Sequence, residues 1–329
     1  MENEKIEFKY ETLWKLIIRP PRDDYDEELL GDKVFTYQDK TYTRKDYNLV
    51  SSQGNILKCS FIEPEEKYRS TEIMPVVVYL HGNSSSRLEG MRMAGYLLKR
   101  DINLFVFDFA GSGLSEGEYI TLGYREAEDL DVIIQFIEKL PGVGKIGLWG
   151  RSMGAATTML YAHRNKNISA IVMDSPFADF YRLAKEQCLK MIKLPNFVLS
   201  TVFSIVKRTV RKKTGLDISQ LRPIDYAERT NTPSIFIHAL NDELIDIAHS
   251  IELNQKYNGP KSLISCKGGH NSNRPRALLE KVGRFFSLYL KGIDENEISK
   301  HPIKQHKQFS HNEIVDDYSD DSEDDEDDH

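Results

Sequence analysis

The chain has no apolar run approaching the roughly 18 residues that a membrane-spanning helix needs. Its first residues, MENEKIEFKYE, lack the apolar core of a signal peptide, so the expected location is cytoplasmic. Cysteine is scarce: Cys59, Cys188 and Cys266 are odd in number and widely separated. They exclude a disulfide scaffold and are expected to be small buried side chains in a reducing compartment. No H-E-x-x-H or C-x-x-C spacing occurs, so no metal is expected. Gly111 and Gly113 lack the third glycine of a dinucleotide fingerprint and are assigned to a tight turn. No cofactor of any kind is called for. Basic residues are too scattered for a nucleic-acid partner, and residues 316–329, DDYSDDSEDDEDDH, contain none at all. Those 14 residues hold ten acids, so the formal net charge of −7 becomes +3 once they are set aside.

What the chain does have is 40% hydrophobic residues, with 16 Tyr and 15 Phe, enough for a large core within 329 residues. Residues 10–22, YETLWKLIIRPPR, read as an amphipathic helix stopped by Pro20 and Pro21. It is expected to pack on the domain, with peripheral membrane contact as the alternative. Residues 23–31 read as a polar loop. Two β-rich runs within 41–62 flank Ser51-Ser52-Gln53-Gly54-Asn55, a hairpin signal. Continuous apolar runs then mark buried strands at 74–80, 104–109, 146–149, 168–173, 234–240 and 261–266. Helical spacing marks 87–100, 124–140, the stretch after Gly154, 245–257 and 278–290. Alternating βα units of this length require a mostly parallel sheet with helices on both faces. Ligands bind at the carboxyl ends of such strands.

The rhythm breaks between Phe177 and Thr232, too long a stretch for a crossover. It carries an apolar stretch from Phe197 to Val206 and then the basic run 207–213. The expected arrangement is a domain over 1–300 with a helical cap insertion at about 177–232. An acidic tail over 301–329, too polar to bury a core, should be disordered. The tail is a candidate ligand for a basic partner. The basic run is read as a solvated helix face, with anionic lipid or the tail as the minority alternatives.

The central stretch is 145–158, KIGLWGRSMGAATT. A short apolar strand, Gly150-Arg151-Ser152-Met153-Gly154 and an Ala-rich helix follow without a spacer. This G-x-S-x-G placement puts a serine on a strained strand-to-helix turn that tolerates no bulk beside it. A serine hydroxyl needs a base, and the base an orienting acid. Among nine histidines, His163, His238 and His249 lie within elements, and four others lie in or near the tail. His270, in Lys267-Gly268-Gly269-His270, follows a strand and comes after the serine; His81 precedes it. His270 is therefore the expected base. Asp242 is the favoured acid, with Asp174 and Asp246 as competitors. Amide donors for an oxyanion are expected from Met153, the residue after the nucleophile, and from Asn83 in the loop after the 74–80 strand.

These motifs give the chain a family likeness. IIRPPRDDYD, HGNSSSR, FDFAGSGLSEGEY, GLWGRSMGA, DSPFADF and GGHNSNRP together resemble the α/β-hydrolase superfamily over roughly residues 10–292. More narrowly the chain is similar to a eukaryotic group labelled serine aminopeptidase-like hydrolases, of plant and protist type. The resemblance implies the triad Ser152, Asp242 and His270 and a helical cap over 177–232. It also resembles hydrolases that remove fatty acyl groups from proteins, whose N-terminal cysteine cluster is missing here. An aminopeptidase would need buried acids for the substrate amine, for which Glu116, Glu118 and Asp179 are candidates. The expected function is a cytosolic serine hydrolase of a small-molecule or peptide ester, thioester or amide bearing an apolar group. The competing reading is a ligand-binding or scaffold protein that keeps the fold with little turnover.

Overall fold

The computed structural model describes residues 10–191, 196–291 and 313–315. Helix α1 (Tyr10–Ile18) precedes strands β1 (Val34–Tyr37), β2 (Lys40–Val50), β3 (Ile56–Pro64) and β4 (Met74–Leu80). Helices α2 (Arg87–Met91) and α3 (Ala94–Leu98) lead to β5 (Asn103–Phe107), α4 (Glu126–Ile137), β6 (Val143–Arg151), α5 (Met153–Ala162) and β7 (Ile168–Asp174). Three helices, α6 (Phe180–Met191), α7 (Asn196–Thr214) and α8 (Ile224–Ala227), separate β7 from β8 (Ser234–Ala239). The chain continues through α9 (Ile247–Lys256), β9 (Lys261–Cys266), α10 (Arg276–Leu290) and the short β10 (Glu313–Val315).

Among the described residues the strands form one sheet in the order β1-β2-β3-β5-β4-β6-β7-β8-β9-β10. The pairs from β1 to β5 are antiparallel and all others parallel. The apolar runs of the parallel strands are continuous because both faces are covered. Val76, Val78 and Leu80 face the layer that holds α4 and α5, while Val77 and Tyr79 face the layer with α3 and α10. This period of two is the pleat itself.

Two elements differ from the sequence expectation. Strand β1 joins β2 through Gln38 and Asp39, both at positive φ (48° and 62°), a primed turn without the usual Asn-Gly signal. The expected single helix over 87–100 is split into α2 and α3. Gly90 packs so closely that an added Cβ would lie 2.6 Å from Val106 Cγ1, and a 3₁₀ bond from Met93 N–H to Gly90 O (3.0 Å) ends the first piece.

Helix α1 packs as expected: Trp14 and Ile18 are buried, α1 lies against α7, and Lys213 Nζ sits 4.4 Å from the Trp14 ring centroid. Within the 301–329 tail, Glu313–Val315 adds a parallel edge strand to β9, and the remainder lies outside the described residues. Among the described residues no helix is long and apolar enough to cross a membrane.

Candidate active site

The turn from β6 into α5 places Ser152 at φ 51°, ψ −112°, a conformation that costs an L-residue of order 1–3 kcal/mol. The turn is locked from both sides. Ser152 N–H donates to Asp174 O (2.8 Å) at the end of β7. A side chain on Gly150 would strike the Gly154 carbonyl, and one on Gly154 would strike the Leu80 carbonyl. The two glycines of G-x-S-x-G are thus required by steric contact with helix and strand.

His270 approaches Ser152 from the loop after β9. Its Nε2 lies 3.0 Å from Ser152 Oγ, and its Nδ1 lies 2.7 Å from Asp242 Oδ2. Asp242, on the loop after β8, turns its other oxygen to the N–H groups of Leu244 (3.0 Å) and Ile245 (2.7 Å). Burial pushes the Asp242 carboxyl up. The hydrogen bond and charge of His270, with the Ile245 amide, outweigh this and hold it below the usual carboxylate range. An ionised Asp242 fixes the proton on Nδ1 and leaves Nε2 to accept from the serine hydroxyl.

The other candidates are otherwise engaged. Asp174 forms a buried ion pair with Arg274, whose Nη2 lies 2.8 Å from Oδ1. Asp246 caps α9 by accepting from Ala248 N–H (2.9 Å). His81 accepts from Phe109 N–H (3.1 Å) and donates to Gly82 O (2.7 Å), tying the ends of β4 and β5 together. His238 bonds Ser250 Oγ and Ile245 O beneath Asp242. His249 bonds Ala178 N–H and Arg182, and His163 packs on the Tyr226 ring.

Ser152 and His270 open on a cleft of about 710 Å³ that Asn83 also lines. Met153 N–H, in the first turn of α5, has no acceptor within its own helix. Gly82 N–H is occupied by Glu89 Oε2 (2.9 Å), which leaves Asn83 as the next amide of that loop. Gly82 is not sterically required here, because an added Cβ would stay 3.7 Å or more from its neighbours. Gly113 is: at φ 48° its Cα faces the Asp108 carboxylate, which a Cβ would strike.

The described walls of the cleft come mainly from the segment after α1 and from the loops at the strand ends. Among the described residues no lining side chain comes from 177–232. The insertion's described residues reach the loop that carries Asp242, where Lys190 Nζ donates to Glu243 O (3.1 Å) and Gln187 donates to Leu244 O. The rim is the segment after α1, through Asp23, Asp24, Tyr25 and Leu29. This segment is anchored by buried chemistry. Tyr25 OH donates to Asp108 Oδ2 (2.8 Å) and accepts from Arg87 Nε (2.5 Å), while Ser86 Oγ donates to Asp23 Oδ2 (2.6 Å). The acids proposed for a substrate amine lie elsewhere. Glu116 accepts from Ile56 N–H, Glu118 pairs with Arg19 and Asp179 with Arg222. Sequence reasoning also missed Glu89, Arg151 and Arg274. The last two stand inside quoted motifs, GLWGRSMGA and GGHNSNRP, which were the available signal. Among the described residues no group of three or more His, Cys, Asp or Glu is placed to hold a metal ion.

With this geometry in place, known proteins agree on the architecture. The profile of the family described as "Serine aminopeptidase, S33" matches residues 71–226. An uncharacterised protein of Bacillus subtilis, YqkD, is 26% identical over 204 residues, covering 60% of this chain and 64% of its own length. A lysophosphatidylserine lipase of Danio rerio, ABHD12, is 25% identical over 189 residues, covering 55% of this chain and 46% of its own. Among solved structures, the esterase Pf2001 of Pyrococcus furiosus superposes with a TM-score of 0.62 at 23% identity, over 83% of this chain and 98% of its own. The chain has the α/β-hydrolase fold, a mostly parallel mixed sheet with helices on both faces.

Proposed function

We propose that the chain is a cytosolic serine hydrolase that cleaves ester or thioester bonds through an acyl-enzyme on Ser152. The observation that carries this reading is the Ser152–His270–Asp242 relay, 3.0 and 2.7 Å between heavy atoms, built on a serine held at positive φ. His270 Nε2 takes the hydroxyl proton as Oγ attacks the carbonyl carbon, and Asp242 stabilises the imidazolium. The tetrahedral oxyanion accepts from the N–H groups of Met153 and Asn83. The imidazolium then protonates the leaving oxygen or sulfur as the carbonyl re-forms. Water, deprotonated by the same imidazole, releases the acid. The names of the esterase and lipase relatives support ester chemistry, and the serine aminopeptidase family supports the nucleophile class. Amide cleavage of the aminopeptidase type is the weaker reading, because the three acids expected to hold an amine lie away from the cleft. Leu29 and Leu244, both exposed at the cleft, offer the apolar contact for an acyl chain.

The test is steady-state hydrolysis of p-nitrophenyl esters of graded chain length. His270→Ala should lower kcat at least about 10³-fold while leaving the fold intact. Turnover near the wild-type value in a folded His270→Ala protein would remove His270 from the reaction.

A further inference from the structure

One ion pair touches all three loops that this reaction would use. Arg151 directly precedes Ser152, so its backbone and the nucleophile move together. Its Nη1 donates to Glu89 Oε1 (3.2 Å). Its Nη2 donates to the carbonyls of His270 (2.7 Å) and Ser272 (3.2 Å) on the loop that carries the base. Glu89 projects from α2, and its second oxygen accepts from Gly82 N–H (2.9 Å), the amide next to Asn83. The two side chains are only 10% and 18% exposed.

Each bond has a consequence for reactive geometry. The bond to His270 O fixes the backbone from which the imidazole hangs, and so the reach of Nε2 to Oγ. The bond from Gly82 N–H uses up that amide and sets the orientation of the next peptide, where the Asn83 donor sits. Because Arg151 spans these loops from the residue beside the nucleophile, a shift in one is transmitted to the other two. The opposite charges compensate each other, so the brace adds little net field at the oxyanion. A guanidinium suits the task because its planar fork serves a carboxylate and two carbonyls at once, which a lysine ammonium on a flexible stem cannot.

We infer that Glu89 and Arg151 are positioning residues that set kcat by holding the nucleophile, base and oxyanion loops in register. This rests on the proposed role of Ser152. Both side chains also border the cleft, and a role in gripping substrate would have a different kinetic signature. Misplacing reacting groups by about 1 Å costs on the order of 10²-fold in rate. A lost substrate contact raises KM instead.

The experiment uses the full chain with Glu89→Gln, Arg151→Met and the double variant, assayed on p-nitrophenyl acetate. Glu89→Gln is nearly isosteric and keeps an acceptor for Gly82 while losing the one for Arg151, and circular dichroism with a thermal melt checks that each variant is folded before assay. The expected result is a fall in kcat of about tenfold for Glu89→Gln and about 100-fold for Arg151→Met, with KM within a factor of about three. The double variant should be no slower than Arg151→Met alone, since both act through one brace. Affinity for a boronic acid that forms a tetrahedral adduct on serine should fall with kcat. Variants with wild-type kcat, or with raised KM and unchanged kcat, overturn the inference. Fluorophosphonate labelling of wild type separates the two failures. An unlabelled wild type refutes the Ser152 reading itself, whereas a labelled wild type with unaffected variants refutes only the brace.

Discussion

At the scale of single residues, the molecule keeps several ionisable groups out of water, and each has a stated partner. Asp129 is the exception in cost. It is buried on α4 and accepts one bond, from Ala110 N–H at 3.0 Å. Burial pushes its carboxyl up to about 7, and the nearby Glu126 and Glu128 add to the rise. The folded pKa therefore exceeds the unfolded value of about 4. Stability from the protonated form is full below that unfolded value and is lost as pH rises through about 7. Asp129→Asn keeps an acceptor without the charge. Urea melts should show it matching wild type near pH 4 and exceeding it at pH 8 by roughly 2–4 kcal/mol. Equal stabilities at pH 8 would show that Asp129 ionises at no cost. That Ser152, Asp242 and His270 lie within hydrogen-bond reach of one another was legible in the sequence, because chain order and strand ends narrow the choice: each follows a strand. Arg274 and Glu89 were not, because ion pairs spanning 100 and 62 residues leave no spacing to read.

At the scale of elements, strands were legible and their neighbours less so. Runs such as Met74–Leu80 and Ser234–Ala239 are apolar on both faces because they are covered on both, so the pattern names them directly. The polar segment after α1 carries no such pattern, and its role as cleft rim rests on buried polar bonds. Burial and the Asp108 charge push the Tyr25 phenol up, keeping it a donor. Removing that hydroxyl leaves Asp108 without one donor and Arg87 Nε without its closest acceptor. Tyr25→Phe should cost about 1–3 kcal/mol. A thermal melt detects this as a drop of a few degrees. An unchanged Tm would mean that water replaces the hydroxyl and that the segment is only loosely held. The insertion was expected to cap the site, and its described residues contact the loop after β8 through Gln187 and Lys190. A helical pattern signals an amphipathic element without saying which neighbour its apolar face will cover.

At the scale of the whole molecule, the ten-stranded sheet of the described residues brings the ends of β4, β6, β8 and β9 to one edge, where the loops carrying Asn83, Ser152, Asp242 and His270 emerge. Parallel strands make this convergence automatic, because every carboxyl end points the same way. The central claim is that this edge activates Ser152. The most direct measurement is labelling of the full-length protein with a fluorophosphonate, with peptide mass mapping of the product beside Ser152→Ala. The account predicts one adduct per chain, carried by Ser152 and absent from the variant. A folded wild type left unlabelled, or an adduct on another residue, would contradict it.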